Sequence, residues 1–121
     1  MQLAAVMIYA KNLPLMAAFY GETLGLSSVP ETRTDTWAEF AAGGVRLALH
    51  AIPPHLAADI EILTPPQPRE ETPFKLIFAV HDPPSEQRRL EALGVTILPR
   101  PWTGFDALDP EGNIFHIGAG K

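Results

Sequence analysis

Two rhythms of apolar and polar positions follow one another along this chain. The run Leu3–Ala10 is almost continuously apolar and partly β-branched, and Lys11-Asn12 closes it, which predicts a buried strand. Asn12 can accept a hydrogen bond from the free N–H groups of a helix start, and Pro14 is tolerated in a first turn. Met16, Phe19, Tyr20 and Leu24 then recur at helical spacing, and Gly25 supplies a permissive stop. Beyond it the period becomes two. Val45, Leu47 and Leu49 alternate with Arg46, Ala48 and His50, and Trp37-Ala38-Glu39-Phe40 is a short aromatic run of similar character. Gly43-Gly44 falls where a tight hairpin turn belongs. Strands are expected near 27–33, 36–41 and 45–51, so this part reads β-α-β-β-β.

Residues 52–73 carry six of the thirteen prolines and read as a connector, with a short ordered piece expected at Ile60–Leu63. The earlier grammar then returns. Phe74–Val80 is an apolar strand, and Ser85 is placed to cap a helix that holds Leu90 and Leu93 and ends at Gly94. Strands are expected at Val95–Leu98, near 102–108 and at Ile114–Ile117, with Asp109-Pro110-Glu111-Gly112-Asn113 as a turn. Leu24-Gly25-Leu26 recurs as Leu93-Gly94-Val95, Gly44 as Gly112, and His50 as His116, at offsets of 69, 68 and 66 residues. These landmarks predict two copies of one ~50-residue unit. The expected organisation is a single domain with module one at 1–51, the connector at 52–73 and module two at 74–121.

Composition narrows the chemistry. A chain of 121 residues, 46% hydrophobic, is long enough for one core. It has no cysteine, which excludes disulfides, thiolate metal sites and a cysteine nucleophile. No run approaches the ~18 apolar residues of a membrane helix, and the start lacks the basic flank of a signal peptide. A cytoplasmic location and no membrane partner are therefore expected. The net charge of −5, with bases scattered, argues against a nucleic-acid partner.

Two motifs carry a family resemblance. Phe19-Tyr20-Gly21-Glu22-Thr23-Leu24-Gly25-Leu26 resembles the helix end of the vicinal-oxygen-chelate superfamily, the group of glyoxalase I, bleomycin-resistance proteins, fosfomycin-resistance enzymes and extradiol dioxygenases. Asp109–Asn113 with Ile114-Phe115-His116-Ile117 resembles its last hairpin. The resemblance spans all but the connector. It implies an α+β fold of two βαβββ modules whose mixed sheets curl around a cleft, in a homodimer. It also implies a protein that acts on or binds a small organic molecule in that cleft.

Metal-dependent members draw ligands from the first and last strands of each module. Carried over, those positions fall on Ala5, on Ala48 or His50, on Lys75 and on His116. His50 and His116 are then the metal candidates, for one divalent ion (Zn, Ni, Mn or Fe). Open metal sites need about three nitrogen or carboxylate ligands, so Glu39 or Asp106 would have to complete the sphere. The extradiol triad is not filled. The first reading is thus lyase or isomerase chemistry, with the metal polarising substrate oxygens while Glu39 or Asp106 moves a proton. The second is a metal-free drug- or metabolite-binding protein of the bleomycin-resistance type. Lys75 could meet an anionic group, and Tyr9, Trp37, Trp102 and Phe105 could line an aromatic cleft. The plain structural alternatives are strand-end histidines, a solvated lysine, and carboxylates on the polar face of a half-exposed sheet.

Overall fold

The computed structural model describes residues Met1–Gly120 and shows two four-stranded mixed sheets, each carrying helices, in two compact units that divide after Glu61. In the first unit, strand β1 (Ala5–Ala10) leads to helix α1 (Leu13–Ala18). Asn12 caps that helix, its Oδ1 accepting from the Leu15 N–H at 3.1 Å, and Pro14 occupies the first turn. The helix widens at Phe19–Thr23 into a π-turn, with Leu24 N–H donating to the Phe19 carbonyl at 2.8 Å. A Cβ on Gly21 would lie 3.1 Å from Phe40 Cε1, so glycine lets this turn sit close against the sheet. Strands β2 (Ser27–Ser28), β3 (Trp37–Ala42) and β4 (Val45–Ala51) follow.

The second unit repeats the plan with β5 (Leu76–Val80), a helix, β6 (Ile97–Leu98), β7 (Phe105–Leu108) and β8 (Ile114–Ala119). The sheet orders are β1-β4-β3-β2 and β5-β8-β7-β6. In each, the first strand pairs parallel with the last and the remaining pairs are antiparallel. The duplicated βαβββ plan expected from the sequence is therefore present.

Several boundaries differ. The strand expected over 27–33 stops at Ser28, because Pro30 has no N–H to give a ladder and instead opens a 3₁₀ turn at Pro30–Thr32. The connector holds no element at Ile60–Leu63; its short helix, α2, is Pro54–Ala57. The helix of the second unit, α3 (Pro83–Ala92), is capped by Asp82 rather than Ser85. The Asp82 carboxylate accepts from the Ser85 N–H, and Pro83-Pro84 fill the two positions where a missing donor costs nothing. Trp102 lies outside β7.

One sheet face in each unit is core. In the first unit Ile8, Met16, Tyr20, Phe40, Leu47 and Leu49 are buried together on the helix side. In the second, Leu90 of α3 is buried, as are Phe105, Ala107, Phe115 and Ile117. Each such large side chain contributes roughly 1.5–3 kcal/mol by leaving water. Strand alternation then sends the intervening residues to the opposite face, and these carry the polar chemistry.

Candidate functional site

Pairing registers fix which residues share that face. In the first unit His50 stands opposite Tyr9 on β1 and Trp37 on β3, and Ala48 stands opposite Met7 and Glu39. The rings of Tyr9 and Trp37 both meet His50 edge-on, each with centroids 5.7 Å apart, forming an aromatic row across three strands. Glu39 lies beside it. Its Oε1 accepts from the Trp37 indole at 3.1 Å and its Oε2 from Arg46 at 3.0 Å. His50 Nδ1 lies 2.9 Å from the carbonyl of Ala51.

In the second unit His116 stands opposite Ile77 on β5 and Asp106 on β7. Asp106 is fully buried, yet three basic side chains converge on it. Its Oδ2 accepts from Lys75 Nζ at 2.8 Å and from Arg100 Nε at 3.0 Å, and its Oδ1 lies 2.8 Å from His116 Nδ1. Burial pushes the Asp106 carboxyl up, but hydrogen bonds from Lys75, His116 and Arg100 outweigh it and hold the group below the usual carboxylate range. Asp106 is thus ionised at neutral pH and can only accept. His116 therefore donates from Nδ1, and Nε2 is the ring nitrogen not engaged by Asp106.

Around His116 two glycines make room for the ring. A Cβ on Gly104, whose φ is +77°, would lie 2.8 Å from Nε2, and one on Gly118 would lie 3.2 Å from it. Arg100 reaches on to Glu70 at 3.2 Å. Its guanidinium is held still more firmly protonated, mainly by the hydrogen bond to Asp106. Lys75 and Arg100 also lie over the indole of Trp102, 5.2 and 5.5 Å from the ring centroid.

The two units can be superposed by register alone. Glu39 opposes Ala48 as Asp106 opposes His116, and Met7 opposes Ala48 as Ile77 opposes His116. Ala5 and Lys75 each lie two residues before Met7 and Ile77. The counterpart of His116 is therefore Ala48. His50 corresponds instead to Gly118, so the 66-residue offset joining the two histidines is two residues out of register.

The family's ligand positions accordingly hold Ala5, Ala48, Lys75 and His116. Two of these have no donor atom, and the Lys75 ammonium is bonded to Asp106. Among the described residues, no group of three or more His, Asp and Glu is arranged to hold a metal ion. These residues do not fit a divalent metal. Phe105, expected in the cleft, is buried on the face opposite Asp106, whereas Tyr9 and Trp102 are exposed. Arg100 and Glu70 were not marked by any sequence pattern.

A duplicated βαβββ chain with its polar residues gathered on one face of each sheet defines a protein of the vicinal-oxygen-chelate class. The chain belongs to the glyoxalase-like domain family, whose model matches residues 5–118. Solved structures with the same fold include TnmS3, an antibiotic-binding protein from Streptomyces sp. CB03234, at 18% identity and TM-score 0.70, covering 100% of this chain and 97% of that one. Others are the lactoylglutathione lyase of Agrobacterium tumefaciens (22%, TM-score 0.67, 98% and 93% covered) and the fosfomycin resistance protein FosX of Listeria monocytogenes (18%, TM-score 0.72, 99% and 92%). At these identities the likeness is one of fold. No curated protein sequence matches the chain. No helix among the described residues is long and apolar enough to cross a membrane.

Proposed function

We propose that this chain is a metal-independent binding domain for a small organic molecule, as TnmS3 is an antibiotic-binding protein on the same fold. The observation that carries the reading is the set of residues at the family's ligand positions: Ala5, Ala48, Lys75 and His116, with Lys75 and His116 committed to Asp106. A divalent ion brought to His116 would meet Lys75 and Arg100 beside it, and their charges oppose its entry. Lewis-acid chemistry of the lyase or isomerase kind therefore lacks its donors here.

Neither carboxylate suits proton transfer. Asp106 is held ionised by three partners, far from the near-neutral range an acid–base group needs. Both oxygens of Glu39 already accept hydrogen bonds. What the faces offer is recognition. In the first unit, Tyr9, His50 and Trp37 supply ring edges and faces for an aromatic or apolar ligand.

A ligand screen by thermal shift, run with and without a chelator, tests this. Stabilising compounds should act equally in both conditions, and Trp37→Ala should abolish the shift for aromatic hits that contact the row. Stabilisation that requires added metal would overturn the reading.

A further inference from the structure

The connector, which looked like a mere spacer, forms one wall of a cavity in the second unit. This cavity, of about 360 Å³, is lined by Arg69, Glu70, Phe74, Lys75, Arg100 and Trp102 among others. The wall is anchored. Arg69 N–H donates to the Gly112 carbonyl at 2.9 Å, and a Cβ on Gly112 would fall 2.1 Å from the Gln67 carbonyl oxygen. The turn at Gly112, with φ +84°, therefore sets where Arg69 and Glu70 stand.

The charges do not cancel. Arg69, Lys75 and Arg100 face Glu70 and the buried Asp106, leaving one positive charge. The donors are not exhausted either. Lys75 uses one N–H on Asp106, Arg100 leaves Nη1 unused, and the Arg69 side chain makes no hydrogen bond or ion pair among the described residues. Trp102 and Phe74 are exposed at the same place and give apolar surface beside the cations.

We propose that this cavity binds the carboxylate of a small aromatic or apolar organic acid, with Arg69 as the principal anchor and Lys75 and Arg100 as supporting donors. A single negative charge matches the residual single positive one. A planar carboxylate also suits the two-pronged guanidinium of Arg69, and Trp102 and Phe74 accept the hydrophobic body. The inference rests on the binding reading above and adds to it the class of ligand. Asp106 is a positioning residue here: it holds Lys75 and Arg100 in place and does not itself touch the ligand.

The test uses the full chain, ¹⁵N-labelled, with the two indole N–H signals of Trp37 and Trp102 assigned through Trp102→Phe. Benzoate, phenylphosphonate, benzamidine and benzyl alcohol are titrated separately. Benzoate is expected to move the Trp102 signal saturably and more tightly than the other three. Arg69→Gln should weaken benzoate by about tenfold, the loss of one charge-assisted contact, while leaving the spectrum otherwise that of the folded protein. Tighter binding of phenylphosphonate would overturn the carboxylate in favour of a phosphoryl group. No saturable shift with benzoate, an equal shift with benzyl alcohol, or unchanged binding in Arg69→Gln would overturn the anion site. Benzyl alcohol moving only the Trp37 signal would sink this inference while the metal-independent binding reading stood.

Discussion

Asp106 concentrates most of the electrostatics of the second unit in one side chain. A buried carboxylate is costly to desolvate, and only the three convergent donors make it tolerable. Removing its charge leaves Lys75 without its ion-pair partner and Arg100 with Glu70 alone. Asp106→Asn is expected to lower unfolding free energy by about 3 kcal/mol, read from urea denaturation near pH 7. The pH dependence has a definite sign. Because the folded-state pKa lies below the ordinary value of 3.8, the unfolded chain binds the proton first as acid is added. The contribution is full above the ordinary carboxylate range and is lost as pH falls through the folded value. Asp106→Asn should flatten that part of the acid limb; an unchanged limb would show that Asp106 is not held ionised. The sequence brought forward Asp106, Lys75 and His116 individually, from strand period and motif position. It did not show their convergence, because Lys75 and Asp106 meet across 31 residues and Arg100 sits in a Pro-Arg-Pro segment without period. Phe105 alternates with Asp106 along β7 and lies buried on the other face.

The secondary-structure elements most visible in the sequence are those whose side chains obey one period. β4, with Leu47 and Leu49 on the core face and Arg46, the buried Ala48 and His50 on the other, is such a strand. The turn at Asp109–Asn113 is another legible feature. Asp109 accepts from the Glu111 and Asn113 N–H groups at 2.9 and 3.0 Å, a backbone-mimicking turn that Asp, Pro and Gly encode directly. Edge strand β2 is shorter than expected because Pro30 follows it closely, whereas β6 ends before Pro99 as expected and begins two residues later, at Ile97. The connector was opaque for a different reason: its order comes from lying against the Gly112 turn rather than from its own composition. Gly112→Ala combines a strained positive φ with a clash against the Gln67 carbonyl. It should destabilise the fold by about 1–3 kcal/mol in chemical denaturation, more than Gly43→Ala, which meets only the positive φ. Equal effects would mean that the connector does not depend on this turn.

At the scale of the whole chain, the duplication and the family could be read from two motifs and the two glycine landmarks, and the strand order and the family model agree with them. The register of the duplication could not. Only the pairing of Glu39 with Ala48 and of Asp106 with His116 shows that the two strand-end histidines are not equivalents. That correction removes the second imidazole from the family's ligand set and turns the reading from metal chemistry to recognition. The most direct test is elemental analysis of untagged protein incubated with zinc, nickel, manganese or iron and then dialysed, with His116→Ala beside it. The account predicts far less than one metal per chain in both proteins. Stoichiometric metal retained by the unaltered chain and lost from His116→Ala would contradict it.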